Sequence, residues 1–235
     1  RPRDWSSDVC SSDLCEVGEG VTLETYLRLE ETEEARHMFY AGEMTEIPGS
    51  RPAHAFMVAR LGTALMNAAE GSGARVTMVN LQLRTGSGEA ILYPDVMAFA
   101  GRPTAWTGHP HVVTDPVLIA EVLTPETEEL DRGLKAREYR ATASVKQYAL
   151  FALDRPFVEV YTRLEDGSWG MREVSGAEAE CEFESVGCRV GLAEIYKDWG
   201  VEGLESHKDM AAPQFPWGSP EEVLDRSEEH TSELQ

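Results

Sequence analysis

The chain has 235 residues, of which 42% are hydrophobic, a length that suits one well-packed domain with tails better than two enzymatic domains. Its 42 acidic side chains outnumber its 21 Lys and Arg, and the net charge of -21 argues against a broad basic surface for holding nucleic acid. No stretch approaches the roughly 20 apolar residues that a membrane span needs, and no basic-then-apolar leader opens the chain, so the expected location is the cytoplasm.

The first half of the chain alternates between helical and extended patterns. Residues 21–34 have leucines near helical spacing with Thr22 as a cap, and residues 38–47 predict a strand pair hinged at Gly42. A long helix is predicted over 52–70, with Phe56, Val58, Leu61, Leu65 and Met66 on its apolar side. Residues 75–85 and 90–100 alternate on either side of a Gly-Ser-Gly turn and predict a β-hairpin.

The second half continues with a strand, a helix and further strands. Residues 116–123 are typical of a strand buried on both faces, residues 128–143 of a helix, and residues 147–153 of the next strand. A hairpin follows over 157–163 and 169–174, and residues 190–196 close the domain. This order predicts an α/β fold with a mixed central β-sheet flanked by helices.

The two ends of the chain are related through their coding sequence. Residues 226–235 (RSEEHTSELQ) reverse-translate to AGATCGGAAGAGCACACGTCTGAACTCCAG, and the complementary strand, shifted by one base, encodes residues 5–14 (WSSDVCSSDL). Because this oligonucleotide looks like a short-read sequencing adapter, we interpret both ends as an assembly artefact. The predicted organisation is therefore artefact at 1–14, one domain at 15–200, a polar tail at 201–225 and artefact at 226–235.

Three cysteines lie outside the predicted artefact, namely Cys15, Cys181 and Cys188. They lack the short paired spacing of a zinc site. We expect reduced thiols.

Two acidic residues interrupt apolar strands. Glu121 lies between Ala120 and Val122, and Asp95 follows Pro94 and precedes another apolar run. Burying an unpaired carboxylate costs several kcal/mol, so such residues need an ion pair, a proton or a bound cation. A hard cation is one hypothesis; an internal ion pair for Glu121 and a turn or bulge role for Asp95 are the alternatives.

Lys135 and Tyr139 are four residues apart and so share one face of the predicted helix. Near a cation, the Lys could orient or deprotonate an attacking water or stabilise charge on a phosphate, and the Tyr could hold water or a phosphate oxygen. The alternative for Lys135 is a solvated ion pair with Asp131. In combination, the four residues favour metal-assisted phosphodiester hydrolysis.

The spacing of these and other short motifs resembles the Uma2 family (DUF820), a restriction-endonuclease-like family of the PD-(D/E)XK nuclease superfamily. The resemblance runs from about Thr22 to Gly200. The matching motifs are Gly42-Glu43, His54, Tyr93-Pro94-Asp95, EVLTPET at 121–127, DRGLKAREY at 131–139, and GCRVGLAEIY at 187–196.

This resemblance implies a restriction-endonuclease-like fold and an endonuclease that uses Mg²⁺ or Mn²⁺ and acts on DNA. It implies Asp95 and Glu121 as metal ligands, with the backbone carbonyl of Val122 beside them. The catalytic residues would be Asp95, Glu121, Lys135 and Tyr139. Many such nucleases carry the lysine two residues after the Glu, where this chain has Leu123.

The chain departs from the family pattern at Met38, where the family commonly has Glu. His37 or Glu43 could substitute, and His54 is a further auxiliary candidate, although a His that opens a helix also suits a cap. His109 and His111 are expected to be solvated in a loop.

Three functional hypotheses follow. The first is the metal-dependent DNA endonuclease, as a possible homodimer because two sites cut two strands. The second is a binding or assembly protein that keeps the nuclease fold without efficient catalysis. The third is a hydrolase of another phosphorylated substrate, which the acidic composition favours.

Overall fold

A computed structural model describes residues 20–78 and 81–197. The predicted artefact segments at 1–14 and 226–235, the predicted tail at 201–225, and Cys15 lie outside the described residues. Cys181 and Cys188 are buried and are not joined by a disulfide.

The three predicted helical segments are helical with shorter bounds, and one further short helix lies at the end of the domain. They are α1 (Leu23–Glu30), α2 (Pro52–Ala68), α3 (Glu128–Leu130), a π-helical turn (Asp131–Lys135), α4 (Ala136–Ala141) and α5 (Leu192–Tyr196). Thr22 caps α1 as predicted, because its hydroxyl accepts a hydrogen bond from the Thr25 amide at 3.2 Å. None of the helices in the described ranges is long and apolar enough to cross a membrane.

The described residues contain two six-stranded sheets and one small hairpin. In chain order the strands are β1 (His37–Tyr40), β2 (Glu43–Glu46), β3 (Arg75–Met78), β4 (Gln82–Arg84), β5 (Ala90–Leu92), β6 (Val96–Phe99), β7 (Ala105–Trp106), β8 (His109–Val113), β9 (Leu118–Leu123), β10 (Gln147–Ala152), β11 (Phe157–Arg163), β12 (Trp169–Ser175), β13 (Glu180–Phe183) and β14 (Cys188–Gly191). The first sheet has the order β2-β1-β5-β4-β8-β7, and the second has the order β12-β11-β10-β9-β6-β3.

Each large sheet contains one parallel pair, β4 with β8 and β9 with β10, among antiparallel neighbours. The predicted α/β class with mixed sheets flanked by helices is therefore confirmed, with the strands divided between two sheets instead of one. The crossover from β9 to β10 carries α3, the π-helical turn and α4, as parallel strands require.

The predicted hairpin over 75–100 links the two sheets. Its inner part pairs β4 with β5 in the first sheet, and its outer part pairs β3 with β6 in the second. Between β5 and β6, Tyr93, Pro94 and Asp95 lie outside the strands. Pro94 has no amide hydrogen to donate to a ladder, which accounts for a break at this point.

The second sheet is covered on both faces. Leu118, Ala120 and Val122 of β9 pack in one apolar cluster with α2, whereas Ile119 and Leu123 pack in another with α4. Side chains alternate along a strand, so Glu121 belongs to the face that carries Ile119 and Leu123. The fold thus directs one carboxylate toward the crossover helix.

Two predictions were wrong in detail. His109 and His111 lie on strand β8, although both are at least partly exposed as expected for solvated residues. On α2, Phe56 and Met66 are exposed, at 66% and 40%, and the buried face consists of Met57, Val58, Leu61, Ala64 and Leu65. The buried face of α2 differs from the predicted one because the helix packs between the second sheet and the segment β14–α5.

Candidate active site

Glu121 is the buried centre of a polar cluster. Its side chain is 1% exposed, on a strand whose other five residues are apolar and buried. Oε1 accepts hydrogen bonds from Lys135 Nζ at 3.1 Å and Tyr139 Oη at 2.7 Å, and Oε2 accepts one from the backbone amide of Asp95 at 3.1 Å. The predicted shared face of Lys135 and Tyr139 is thus present, and both residues are directed at a single oxygen.

Asp95 lies at the break between β5 and β6, beside Glu121. Its Oδ2 accepts a hydrogen bond from the Val122 amide at 2.9 Å and lies 3.0 Å from His54 Nε2. The Asp95 side chain is 16% exposed, so its carboxylate is accessible where that of Glu121 is enclosed. The two carboxylates are therefore held together by the backbone amides of neighbouring strands.

Lys135 bridges two carboxylates. Its Nζ lies 2.8 Å from Asp131 Oδ1 and 3.1 Å from Glu121 Oε1, and its side chain is 12% exposed. The ion pair with Asp131 that the sequence suggested is present, but it is buried instead of solvated, since Asp131 is 1% exposed. Tyr148 Oη, from strand β10, donates a hydrogen bond to the Asp131 backbone carbonyl at 2.9 Å and so anchors the π-helical turn to the second sheet.

Burial and neighbouring charges shift the pKa values of Glu121, Asp131 and Lys135. Burial raises the pKa of Glu121 well above its usual range, with repulsion from Asp95 and Asp131 in the same direction and attraction to Lys135 against it. Burial also raises the pKa of Asp131. Burial opposes the charge on Lys135, but Asp131 and Glu121 outweigh it and raise the pKa of the amine. The two carboxylates thus favour the protonated form of Lys135.

The pKa values of His54 and Asp95 are shifted in opposite directions by their contact. Burial works against both charged forms, yet the hydrogen bond between them lowers the pKa of Asp95 and raises that of His54. The imidazole of His54 comes from the first turn of α2, where Arg51 and not His54 is the N-cap. His54 thus orients Asp95, in a role that a helix cap would not provide.

A cavity of about 360 Å³ opens beside this cluster. It lies at the carboxyl ends of the parallel strands β9 and β10, where open α/β sheets usually bind ligands. His54 and Leu123 form part of its wall, and its other lining comes from the N-terminal ends of α2 and α3 and the loop after β10.

Glu43 and His37 are not bonded to the polar cluster among the described residues, whereas Met38 packs beside it. Glu43 is on β2 opposite Tyr40, and its buried Oε2 lacks a hydrogen-bond partner. His37 bonds instead to Glu30, with Nδ1 3.1 Å from Oε2. Met38 is 4% exposed and packs in the apolar cluster that contains Leu123 and Tyr139.

The donor set suits a hard cation. Glu121 and Asp131 contact the Lys135 ammonium, and Asp95 is bonded to His54. Burial and mutual repulsion raise the pKa of Glu121 and Asp131, and a bound cation would offset both effects. Across residues 20–78 and 81–197, no three His, Cys, Asp or Glu side chains are grouped to hold a metal by themselves. Two carboxylates supplemented by carbonyl, water and phosphate oxygens are the usual environment of Mg²⁺, whereas a zinc site would need more side chains.

Sequence reasoning did not include Asp131 among the site residues or pair His54 with Asp95. Asp131 sits in the DRGLKAREY motif, and its four-residue spacing from Lys135 was the available signal. The contact between His54 and Asp95 joins residues 41 apart in the chain. No local pattern indicates it.

Comparisons with known proteins agree with this fold. The model of the Uma2 family, described as "Putative restriction endonuclease", matches residues 23–189. Two proteins of Synechocystis sp., "Uncharacterized protein slr1290" and "Uncharacterized protein sll1609", are 26% and 29% identical to this chain. These alignments cover 74% and 69% of this chain, and 90% and 92% of the relatives.

A solved structure has the same fold. It is the crystal structure of "a putative nuclease belonging to DUF820" from Anabaena variabilis, with a TM-score of 0.60 at 15% sequence identity. The match covers 75% of this chain and 97% of that chain. Because the family model spans most of the described residues, including the whole polar cluster, the chain belongs to the Uma2 family.

Proposed function

We propose that this protein is a Mg²⁺- or Mn²⁺-dependent endonuclease that hydrolyses phosphodiester bonds in DNA. The observation that carries the proposal is the pairing of Asp95 and Glu121 through backbone amides at 3.1 and 2.9 Å, next to a protonated Lys135. Membership of a family described as restriction endonucleases supports the same class of reaction.

Asp95, Glu121 and the Val122 carbonyl would hold the metal. The Val122 amide points toward Asp95, and in an extended strand the carbonyl of the same residue points to the same edge. When bound, the ion would polarise the scissile phosphate and lower the pKa of a water molecule.

Lys135 has the role of a fixed positive charge. Held between Glu121 and Asp131, it stays protonated at neutral pH and can donate a hydrogen bond to a phosphate oxygen as charge builds up there. In this proposal the proton of the attacking water goes to a group other than this amine.

Tyr139 and His54 position the two carboxylates. Tyr139 donates to Glu121 Oε1, and burial raises the pKa of its phenol, so the phenol remains a hydrogen-bond donor. His54 holds Oδ2 of Asp95 from the wall of the cavity. Hydrogen bonds of this kind fix the orientation of carboxylates that bind metals.

The test is metal-dependent cleavage by the full chain. Purified wild type should nick plasmid and cut single-stranded DNA with Mg²⁺ or Mn²⁺ and not with EDTA. Asp95→Asn and Glu121→Gln should each lower the rate by at least about a hundredfold, since each removes an ionised ligand. Glu129→Gln, an exposed position at the start of the same crossover, should cleave as wild type does.

A wild type that cleaves no better than Asp95→Asn would contradict the nuclease proposal. It would favour the alternative, a catalytically impaired nuclease-fold protein that binds or assembles. The observation that favours this alternative is Met38, a buried apolar residue where the family commonly has an acidic one. If the enzyme cuts both strands of a duplex, we further expect it to be a homodimer, because two sites are then needed. The expected location is the cytoplasm.

A further inference from the structure

The cavity beside His54 has an apolar interior and a polar rim. Ala53, Leu123, Pro125, Ala152, Leu153 and Phe157 contribute its apolar wall. Its volume of about 360 Å³ lies within the range of small-molecule sites, roughly 300–1,000 Å³. The cavity shares His54 with the proposed active site, so a group held in it would lie next to the scissile bond.

The arginines at the rim are all paired with carboxylates, and Arg132 is paired with both Glu128 and Glu159. Arg51 pairs with Glu126 at 2.8 Å, and Arg155 with Asp154 at 3.1 Å. Arg132 bonds to Glu159 through both terminal nitrogens, at 2.7 and 2.8 Å. With each guanidinium already matched by a carboxylate, the rim offers little net positive charge for a run of phosphates.

Phe157 and Arg155 provide a surface for stacking. The guanidinium carbon of Arg155 lies 5.1 Å from the centre of the Phe157 ring, and the Arg155 side chain is 62% exposed. Planar aromatic and guanidinium groups bind nucleobases in single strands without regard to base identity. This chemistry matches a flat, largely apolar ligand.

We propose that this cavity binds an unpaired nucleobase next to the cleaved phosphate, so that single-stranded DNA is the preferred substrate. The inference rests on the proposed nuclease function and specifies its substrate. A base in a duplex is stacked and paired and cannot enter such a cavity without being extruded. Because the rim arginines are all paired with carboxylates, binding of the base contributes the larger part of the affinity.

The test measures binding separately from cleavage. Fluorescence anisotropy is recorded with a short labelled single strand, an abasic strand of equal length and charge, and the matching duplex. Ca²⁺ replaces Mg²⁺, and the probes are checked for integrity afterwards. Wild type should bind the base-bearing strand at least about fivefold more tightly than the abasic strand, and more tightly than the duplex.

Two variants of the cavity should abolish this preference. Ala53→Phe fills the cavity from the start of α2, and Phe157→Ala removes the stacking surface. Ala55→Phe is the matched control, since it makes the same change at an exposed position outside the cavity. It should keep the wild-type preference.

The outcomes separate the two proposals. Equal binding of base-bearing and abasic strands by wild type, tighter binding of duplex, no binding of any probe, or an unchanged preference in Ala53→Phe would each overturn the base-binding cavity, even if cleavage is found. A preference lost in Ala53→Phe and kept in Ala55→Phe supports the cavity, even if Mg²⁺-dependent cleavage is absent and the nuclease proposal fails.

Discussion

At the scale of single residues, the site depends on a lysine enclosed by two carboxylates. Glu121 and Asp131 are each 1% exposed, and Lys135 is the cation within ion-pair distance of both among the described residues. Removing one partner from such a group leaves uncompensated buried charge, which costs more than the pair itself contributes.

Lys135→Met should therefore destabilise the metal-free protein by about 3–5 kcal/mol. Urea unfolding at neutral pH measures the change in the free energy of unfolding. Lys146→Met, at an exposed position just before β10, is the control and should stay within about 0.5 kcal/mol of wild type. Equal stability of the two variants would mean that the carboxylates are neutralised in some other way.

Met38 provides a second test at this scale. Met38→Glu puts a carboxylate into an apolar cluster and should lower the stability of the metal-free protein by about 3 kcal/mol, while Met38→Leu should cost less than about 1.5 kcal/mol. If the family's acidic position still serves the site, Mn²⁺ should raise the melting temperature of Met38→Glu more than that of wild type. Equal shifts would indicate that the position no longer reaches the metal.

At the scale of elements, the crossover between β9 and β10 carries most of the site. The π-helical turn Asp131–Lys135 lies within it, and π-turns inside helices frequently occur at functional sites. Arg132 in this turn is anchored to β11 by its two bonds to Glu159, which also accepts a hydrogen bond from Tyr161 at 3.0 Å. This contact fixes the turn that presents Lys135.

Glu159→Gln should destabilise the protein by about 1–2 kcal/mol at pH 7, between the values for exposed and buried pairs. The hydrogen bond from Arg132 lowers the pKa of Glu159, so the ionised carboxylate stabilises the fold. That stabilisation is complete above the ordinary pKa of 4.5 and is lost as the pH falls through the lower value of the folded protein. The difference in unfolding free energy should thus shrink as the pH falls below about 4.5.

Glu165→Gln, in the exposed turn between β11 and β12, is the control for this pH series. Its stability should follow that of wild type at every pH. A constant difference between Glu159→Gln and wild type down to low pH would show that the carboxylate charge does not matter.

Sequence patterns predicted the elements well where the pattern was local. The helix over 128–143 and the strand over 116–123 were predicted from periodicity and a continuous apolar run, and both are confirmed. The π-turn was not predicted, because an apolar stripe does not distinguish helix types over five residues. The strand β8 was taken for a loop because Pro110 separates its two histidines. Pro110 lies in an irregular part of the pairing with β7, between the paired residues His109 and Val113, and proline is tolerated at such irregularities.

The site residues were found by a different kind of argument. Carboxylates inside apolar runs indicated Asp95 and Glu121, and the four-residue spacing on one helix face indicated Lys135 and Tyr139. The structure brings Glu121 into contact with the other three. The four-residue spacing indicated the ion pair of Asp131 with Lys135 but not its burial, since an Asp and a Lys on a solvated helix face have the same spacing.

At the scale of the whole molecule, the excess of acidic residues shapes the interaction with DNA. The net charge of -21 repels a polyanion, and the arginines around the cavity are already paired. A protein with 6–10 phosphate contacts loses about 10³–10⁵ in affinity between 50 and 200 mM salt.

We expect this protein to lose less than about tenfold in affinity for single-stranded DNA over the same salt range, because few phosphate contacts contribute. Anisotropy titrations at several salt concentrations give the slope. A steep slope would point instead to a phosphate-binding surface spread over the molecule.

The break between β5 and β6 sets a limit on how this protein can be made more robust. A continuous ladder through Tyr93, Pro94 and Asp95 would add backbone hydrogen bonds, and replacing Pro94 is the obvious change for an engineer to make. The same change would draw Asp95 into regular pairing, away from the Val122 amide and His54. If the proposed activity depends on Asp95, we expect thermostability and activity to compete at these three positions, and a stabilised variant is better sought elsewhere in the fold.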